Sequence, residues 1–88
     1  MHTIYKYALN VENKQILKLP LGSKILSTAF QEDTLCIWAL VDKDEDFLES
    51  YKIYIYGTGH DIGNIYVSFI GTVFTGNLVF HVFSEKIK

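Results

Sequence analysis

Tyr51-Lys52-Ile53-Tyr54-Ile55-Tyr56 runs directly into Gly57-Thr58-Gly59-His60-Asp61. Tyrosines offer flat, amphipathic rings that stack on a base or anchor a protein contact. An imidazole next to a carboxylate on a glycine loop can take up a proton or hydrogen-bond a polar ligand. The candidate ligand-binding or partner-binding residues are therefore Tyr54, Tyr56, Gly57, Thr58, Gly59, His60 and Asp61. The competing reading is a solvent-facing turn in which the glycines supply positive φ, and cross-strand tyrosine pairs that only stabilise a sheet.

Other reactive residue types do not assemble into a catalytic set. Gly57-x-Gly59-x-x-x-Gly63 does not open a helical pattern and departs from the dinucleotide spacing, so it is not read as a phosphate cradle. His2, His60 and His81 are dispersed, and with the single Cys36 they make no zinc signature; no metal and no cofactor is expected. His81 lies between Phe80 and Val82 and reads as a satisfied, half-buried histidine. Cys36, inside Leu35-Cys36-Ile37-Trp38-Ala39-Leu40-Val41, reads as a small core hydrophobe, and Trp38 as a core keystone or an interface anchor. Asp42-Lys43-Asp44-Glu45-Asp46 reads as a solvated loop. Its alternative, a hard-cation site, lacks the glycine and terminal glutamate of a calcium loop. No catalytic residue is assigned, and the chain is expected not to be an enzyme.

Charge and composition narrow the partners. The net charge is −2 and all eight basic residues are lysine, so nucleic acid is an unlikely partner and the guanidinium fork that grips phosphates is missing. Apolar residues make up 49% and aromatic residues 15% of the chain. In 88 residues that leaves aromatic surface exposed, which points to a homo-oligomer or a partner-binding patch. A lone cysteine fits a reducing cytoplasm, and there is no apolar run long enough to span a membrane as a helix.

The elements that must position these residues are strands. Seven β-candidates stand out by β-branched and aromatic content: Thr3–Leu9, Lys14–Leu19, Lys24–Gln31, Thr34–Val41, Tyr51–Tyr56, Ile65–Val73 and Asn77–Phe83. Turn residues separate them, including Pro20-Leu21-Gly22-Ser23 and Thr75-Gly76-Asn77. Apolar spacing of three and four residues is never sustained, so no helix is expected beyond one turn at Phe47-Leu48-Glu49. Residues 1–88 are expected to form a single all-β domain, a small antiparallel sandwich or flattened barrel. Lys14–Leu19 has the lysines and the closing proline of an edge strand. The near-continuous apolar runs Leu35–Val41 and Leu78–Phe83 predict strands covered on both faces, by a second sheet or a partner chain. In the tyrosine strand, Tyr51, Ile53 and Ile55 should face the core and Lys52, Tyr54 and Tyr56 should face out. Tyr5 and Tyr7 could extend that outward aromatic row.

Ile4-Tyr5-Lys6-Tyr7, Leu19-Pro20-x-Gly22-x-x-Ile25-Leu26 and Leu35–Asp42, followed by Gly57-Thr58-Gly59-His60, Phe69-Ile70-Gly71-Thr72 and Leu78–Phe83, resemble a family of small uncharacterised phage and prophage proteins. The resemblance covers nearly the whole chain and implies a small viral accessory protein in a bacterial cytoplasm. Such proteins act by blocking a host defence protein or by sequestering a small signalling molecule. The leading expectation is thus a non-enzymatic inhibitor of a bacterial defence system that works by protein–protein contact. Alternatives are a sponge for a small polar ligand and a minor virion or assembly component.

Overall fold

The computed structural model describes residues 1–63 and 67–87. Seven antiparallel strands form two stacked sheets, and there is no helix among the described residues. The strands are β1 (His2–Leu9), β2 (Lys14–Pro20), β3 (Lys24–Gln31), β4 (Thr34–Asp42), β5 (Leu48–Gly57), β6 (Ser68–Thr75) and β7 (Leu78–Ile87). One sheet has the order β1-β4-β3 and the other the order β2-β5-β7-β6. The fold is a sandwich and does not close into a barrel. The slab is thin, with Cα extents of 40 × 31 × 16 Å.

Strand alternation explains the packing. Leu35, Ile37, Ala39 and Val41 of β4 point inward and meet Ile53 and Ile55 of β5 and Val82 of β7 across the sandwich. Leu17 and Leu19 of β2 and Val73 of β6 complete the buried layer. Central position in each sheet belongs to the most apolar strands, β4 in one and β5 with β7 in the other. The lysine-bearing β2 takes an edge, as its composition predicts.

Two irregularities close one side of the sandwich. The register of β3 slips between Ile25 and Ser27, and that of β6 slips between Phe69 and Gly71. These bulges bend the two edge strands toward one another. At their approach a Cβ on Gly71 would sit 3.1 Å from the Thr28 Cγ2 methyl, so the contact needs glycine.

Several expectations are corrected. The helical turn at Phe47-Leu48-Glu49 does not form, because Leu48 and Glu49 already pair with Pro20 and Leu19 in the β2–β5 ladder. Strand β7 runs on past Phe83 to Ile87, since Ser50–Ile53 gives those residues a pairing edge. The expected strand Ile65–Val73 starts at Ser68 as described, and Ile65 and Tyr66 lie outside the described residues. Trp38 is not the core keystone: it has the outward parity of β4 and is half-buried, while Ile37 and Ala39 fill the core. Cys36 shares that outward parity but is buried beneath its neighbours.

Ile53 is completely buried at the centre of the layer, whereas Ile16 on edge strand β2 is 54% exposed. Ile53→Ala should therefore lower the unfolding free energy by about 3 kcal/mol, the usual range for emptying an isoleucine site. Ile16→Ala should change it by less than about 0.5 kcal/mol. Denaturant titration of the two variants measures both.

Candidate functional site

The outer face of the four-stranded sheet carries a ladder of aromatic rings. Pairing in register sets Tyr54 opposite Phe83 and Tyr56 opposite His81 across β5 and β7, and Phe69 of β6 opposite Phe83. The ring centroids of Tyr54 and Tyr56 are 6.2 Å apart and nearly parallel at 11°. Tyr56 and Phe83 are 6.3 Å apart at 57°, and Phe83 meets Phe69 edge-on at 5.4 Å. Four rings on three strands thus form one connected surface. Phe69 at its end is 60% exposed, and Phe74 further along β6 is 67% exposed.

Polar groups frame the ladder. The Tyr54 hydroxyl donates to Glu85 Oε1 at 3.0 Å. Partial burial, and then that carboxylate, hold the Tyr54 phenol above its ordinary pKa. His81 Nε2 lies 2.7 Å from Thr58 Oγ1 and His81 Nδ1 lies 3.0 Å from Thr72 Oγ1. Each hydroxyl can donate or accept, so the imidazole is satisfied in either tautomer. Lys14 pairs with Tyr54 and Lys52 shares the outward parity of β5, placing positive charge along the β2 side.

The Gly57–His60 segment is a closed turn. The Gly57 N–H donates to His60 Nδ1 at 3.2 Å, and the His60 N–H donates back to the Gly57 carbonyl at 3.2 Å. The His60 ring lies so close over Gly57 that a Cβ there would meet it at 3.1 Å, and Gly59 takes φ +88°. Thr58 is held by His81. Asp61 is exposed and points to no partner among the described residues. The structure therefore brings Tyr54, Tyr56 and Thr58 together with Phe83, Phe69 and His81, and leaves His60 occupied with its own turn.

The proposed union of the two tyrosine rows is corrected. Tyr5 and Tyr7 belong to the other sheet and have inward parity, opposite Ala39 and Ile37, and Tyr7 packs on the core. They cannot extend the Tyr54–Tyr56 face. The acidic loop is also placed: the Asp42 and Asp44 carboxylates lie 3.3 and 3.1 Å from the Met1 ammonium group, and the Asp44 N–H donates to Asp42. These contacts hold the Asp42 carboxyl below its usual range, the Asp44 N–H first and the ammonium second.

A family model described as "Domain of unknown function (DUF7352)" matches residues 1–88. The chain belongs to this family. No curated protein and no solved structure gives a significant match. The geometry of the DUF7352 chain must carry the functional reading by itself.

Reading the sequence missed one cluster of this DUF7352 domain. Glu49 is buried, with inward parity beside Tyr51. Its Oε1 accepts from the Tyr51 hydroxyl at 3.0 Å and from the Gly22 N–H at 3.1 Å, and its Oε2 faces Lys86 Nζ at 2.9 Å. That last approach is an ion pair whose direction is poor for a hydrogen bond, so charge attraction is what Oε2 gains. Burial pushes the Glu49 carboxyl up, but Lys86, Tyr51 and the Gly22 N–H together outweigh it and leave it below its ordinary value. Burial, and secondarily the same carboxylate, push the Tyr51 phenol up to about 12. A charged residue at core parity was the available signal. The cluster joins the Pro20–Ser23 turn, β5 and β7 and holds the ladder-bearing strands in place.

The two shifts fix the pH response. A carboxyl depressed in the folded state contributes stability above its ordinary pKa of 4.5 and loses it as pH falls below that value. A phenol raised from 10.0 to about 12 leaves stability intact below pH 10, and the contribution is lost between the two values. Glu49→Gln should thus lower the melting temperature at neutral pH and flatten its acid decline. Tyr51→Phe should abolish a late tyrosinate absorbance step near pH 12.

Proposed function

We propose that this chain is a phage-encoded accessory protein, not an enzyme, that blocks a bacterial defence protein by direct contact through the outer face of its four-stranded sheet. The observation that carries this reading is the connected ladder Tyr54, Tyr56, Phe83 and Phe69 on the outer face of the sheet, half-buried at its first three rings and open to solvent at Phe69. Aromatic anchors of this kind dominate protein contacts, because they bury large area while freezing few rotors. Lys14, Lys18 and Lys52 share the face, and its one carboxylate among the described residues, Glu85, already accepts from Tyr54. An acidic rim on the partner would complement them.

The phage setting, and with it the bacterial cytoplasm, is supported by the resemblance of the Ile4–Tyr7, Leu35–Asp42 and Leu78–Phe83 segments to phage and prophage proteins. A sponge for a small polar ligand draws less support. Thr58 Oγ1 already bonds His81 Nε2, His81 Nδ1 bonds Thr72 Oγ1, and His60 Nδ1 accepts from its own turn.

Expression of the protein should restore plaque formation by a sensitive phage in at least one strain carrying a defined defence system. Tyr56→Ala with Phe69→Ala should remove that protection while leaving the melting temperature nearly unchanged. The direct contact with the defence protein should weaken by at least about 30-fold, as loss of two aromatic anchors implies. Protection that survives both substitutions, or a wild-type protein that restores plaquing in no defence strain, rejects the reading.

A further inference from the structure

Polar side chains from three strand ends meet at one end of the aromatic ladder. On β5 the outward column Tyr54, Tyr56 leads on to Thr58 in the turn. On β7 Phe83 leads to His81, which pairs in register with Tyr56 of β5 and with Thr72 of β6. Thr58 Oγ1 lies 2.7 Å from His81 Nε2, and Thr72 Oγ1 lies 3.0 Å from His81 Nδ1. With the ring proton on Nδ1, the imidazole donates to Thr72 and accepts from the Thr58 hydroxyl. That is the arrangement of nucleophile, base and orienting group by which a hydroxyl is activated for attack.

The two threonines are not equivalent. Thr58 makes the shorter contact and stands exposed in a turn, whereas Thr72 lies within the β6–β7 ladder. The N–H of Gly59, the residue directly after Thr58, enters no hydrogen bond among the described residues. It remains available to an oxyanion formed at Thr58.

We propose that Thr58 is a covalent acyl acceptor, whose hydroxyl attacks the carbonyl of an apolar acyl thioester lying along Tyr56 and Phe83. His81 Nε2 takes the Thr58 proton as the bond from Oγ1 to the acyl carbon forms. The C–S bond then breaks, and the imidazolium returns the proton to the departing thiolate. A thioester and a threonine become a threonine ester and a thiol, with no change of oxidation state.

The surroundings select this donor. His81 is oriented by a neutral hydroxyl and not by a carboxylate, which makes it a weak general base and calls for a leaving group as good as a thiolate. The same weakness leaves the product standing, because hydrolysis of the ester must expel the poorer threonine alkoxide. Tyr56 and Phe83, with ring centroids 6.3 Å apart at 57°, offer an acyl chain two apolar surfaces beside the reacting hydroxyl. Thr58 therefore takes up one acyl group and keeps it. This chemistry goes beyond docking on a defence protein, and neither outcome of the plaque test decides it.

Incubation of the protein with the hexanoyl thioester of N-acetylcysteamine tests the proposal. Intact-mass spectra should show a single hexanoyl group per chain added in a fast phase, with release of one equivalent of thiol. Peptide fragmentation should place the ester on Thr58. Thr58→Val and His81→Gln should remove the fast phase and leave only slow acylation of amines, while Thr58→Ser should keep it. Thr72→Val should slow the fast phase about tenfold, and Thr72→Ser should restore it, which a purely structural role for this hydroxyl would not require. The acetyl thioester, with less chain to lay on the rings, should react severalfold more slowly than the hexanoyl one. Absence of a fast phase, an acyl group found only on amines, or a fast phase that survives Thr58→Val or His81→Gln would overturn the proposal. So would thiol release beyond one equivalent, or equal rates with the two thioesters.

Discussion

A two-sheet sandwich has a single apolar layer, and each strand supplies only every second side chain to it. In this chain that layer is filled by Leu19, Leu35, Ile37, Val41, Ile53 and Val82, all fully buried. Apolar residues nonetheless make up 49% of the sequence. The surplus has nowhere to go but outward, so Phe69, Phe74 and Ile16 emerge on one broad face and Ile4 and Leu26 on the other. A slab this thin cannot hide them. The surfaces that could recognise another protein are thus a consequence of the fold's geometry acting on this composition.

Holding such a face flat needs support beneath it. Strands β5 and β7 carry most of the ladder, and their inward residues Ile53, Ile55 and Val82 lock them onto β4. At their far end the apolar layer gives way to Glu49. A buried carboxylate is costly unless its charge is met, and here Lys86, Tyr51 and the Gly22 N–H meet it from three segments of the chain. Because each partner must be in place for the charge to be tolerated, the cluster selects one register for the β2–β5 and β5–β7 ladders.

Much of the fold was legible because strand signals are local. Tyr51-Lys52-Ile53-Tyr54-Ile55-Tyr56 alternates strictly, and the structure gives it the expected parity, with Ile53 and Ile55 inside and Tyr54 and Tyr56 outside. The edge position of β2 followed from its lysines and Pro20. Which strands become neighbours is set by non-local pairing, and alternation within one strand does not carry it. Tyr5 and Tyr7 were therefore matched to Tyr54 and Tyr56 by type, although they lie in different sheets and face opposite ways. For the same reason Phe69 and Phe83 were absent from the expected site: only the β6–β7 register makes them neighbours. The keystone reading of Trp38 followed its chemistry, since size and apolarity suggest a core, while its parity sends it outward.

The two broad faces differ in a way that separates their roles. On the four-stranded face the rings are already packed against one another, offset or edge-on, and the free charge is almost all positive. Such a surface repels its own copy and favours a partner of opposite sign. The three-stranded face sets large side chains beside small ones, with Ile4 and Leu40 one row from Trp38 on one side and Ala8 and Cys36 one row from it on the other. Since the faces lie on opposite sides of the slab, use of one leaves the other free.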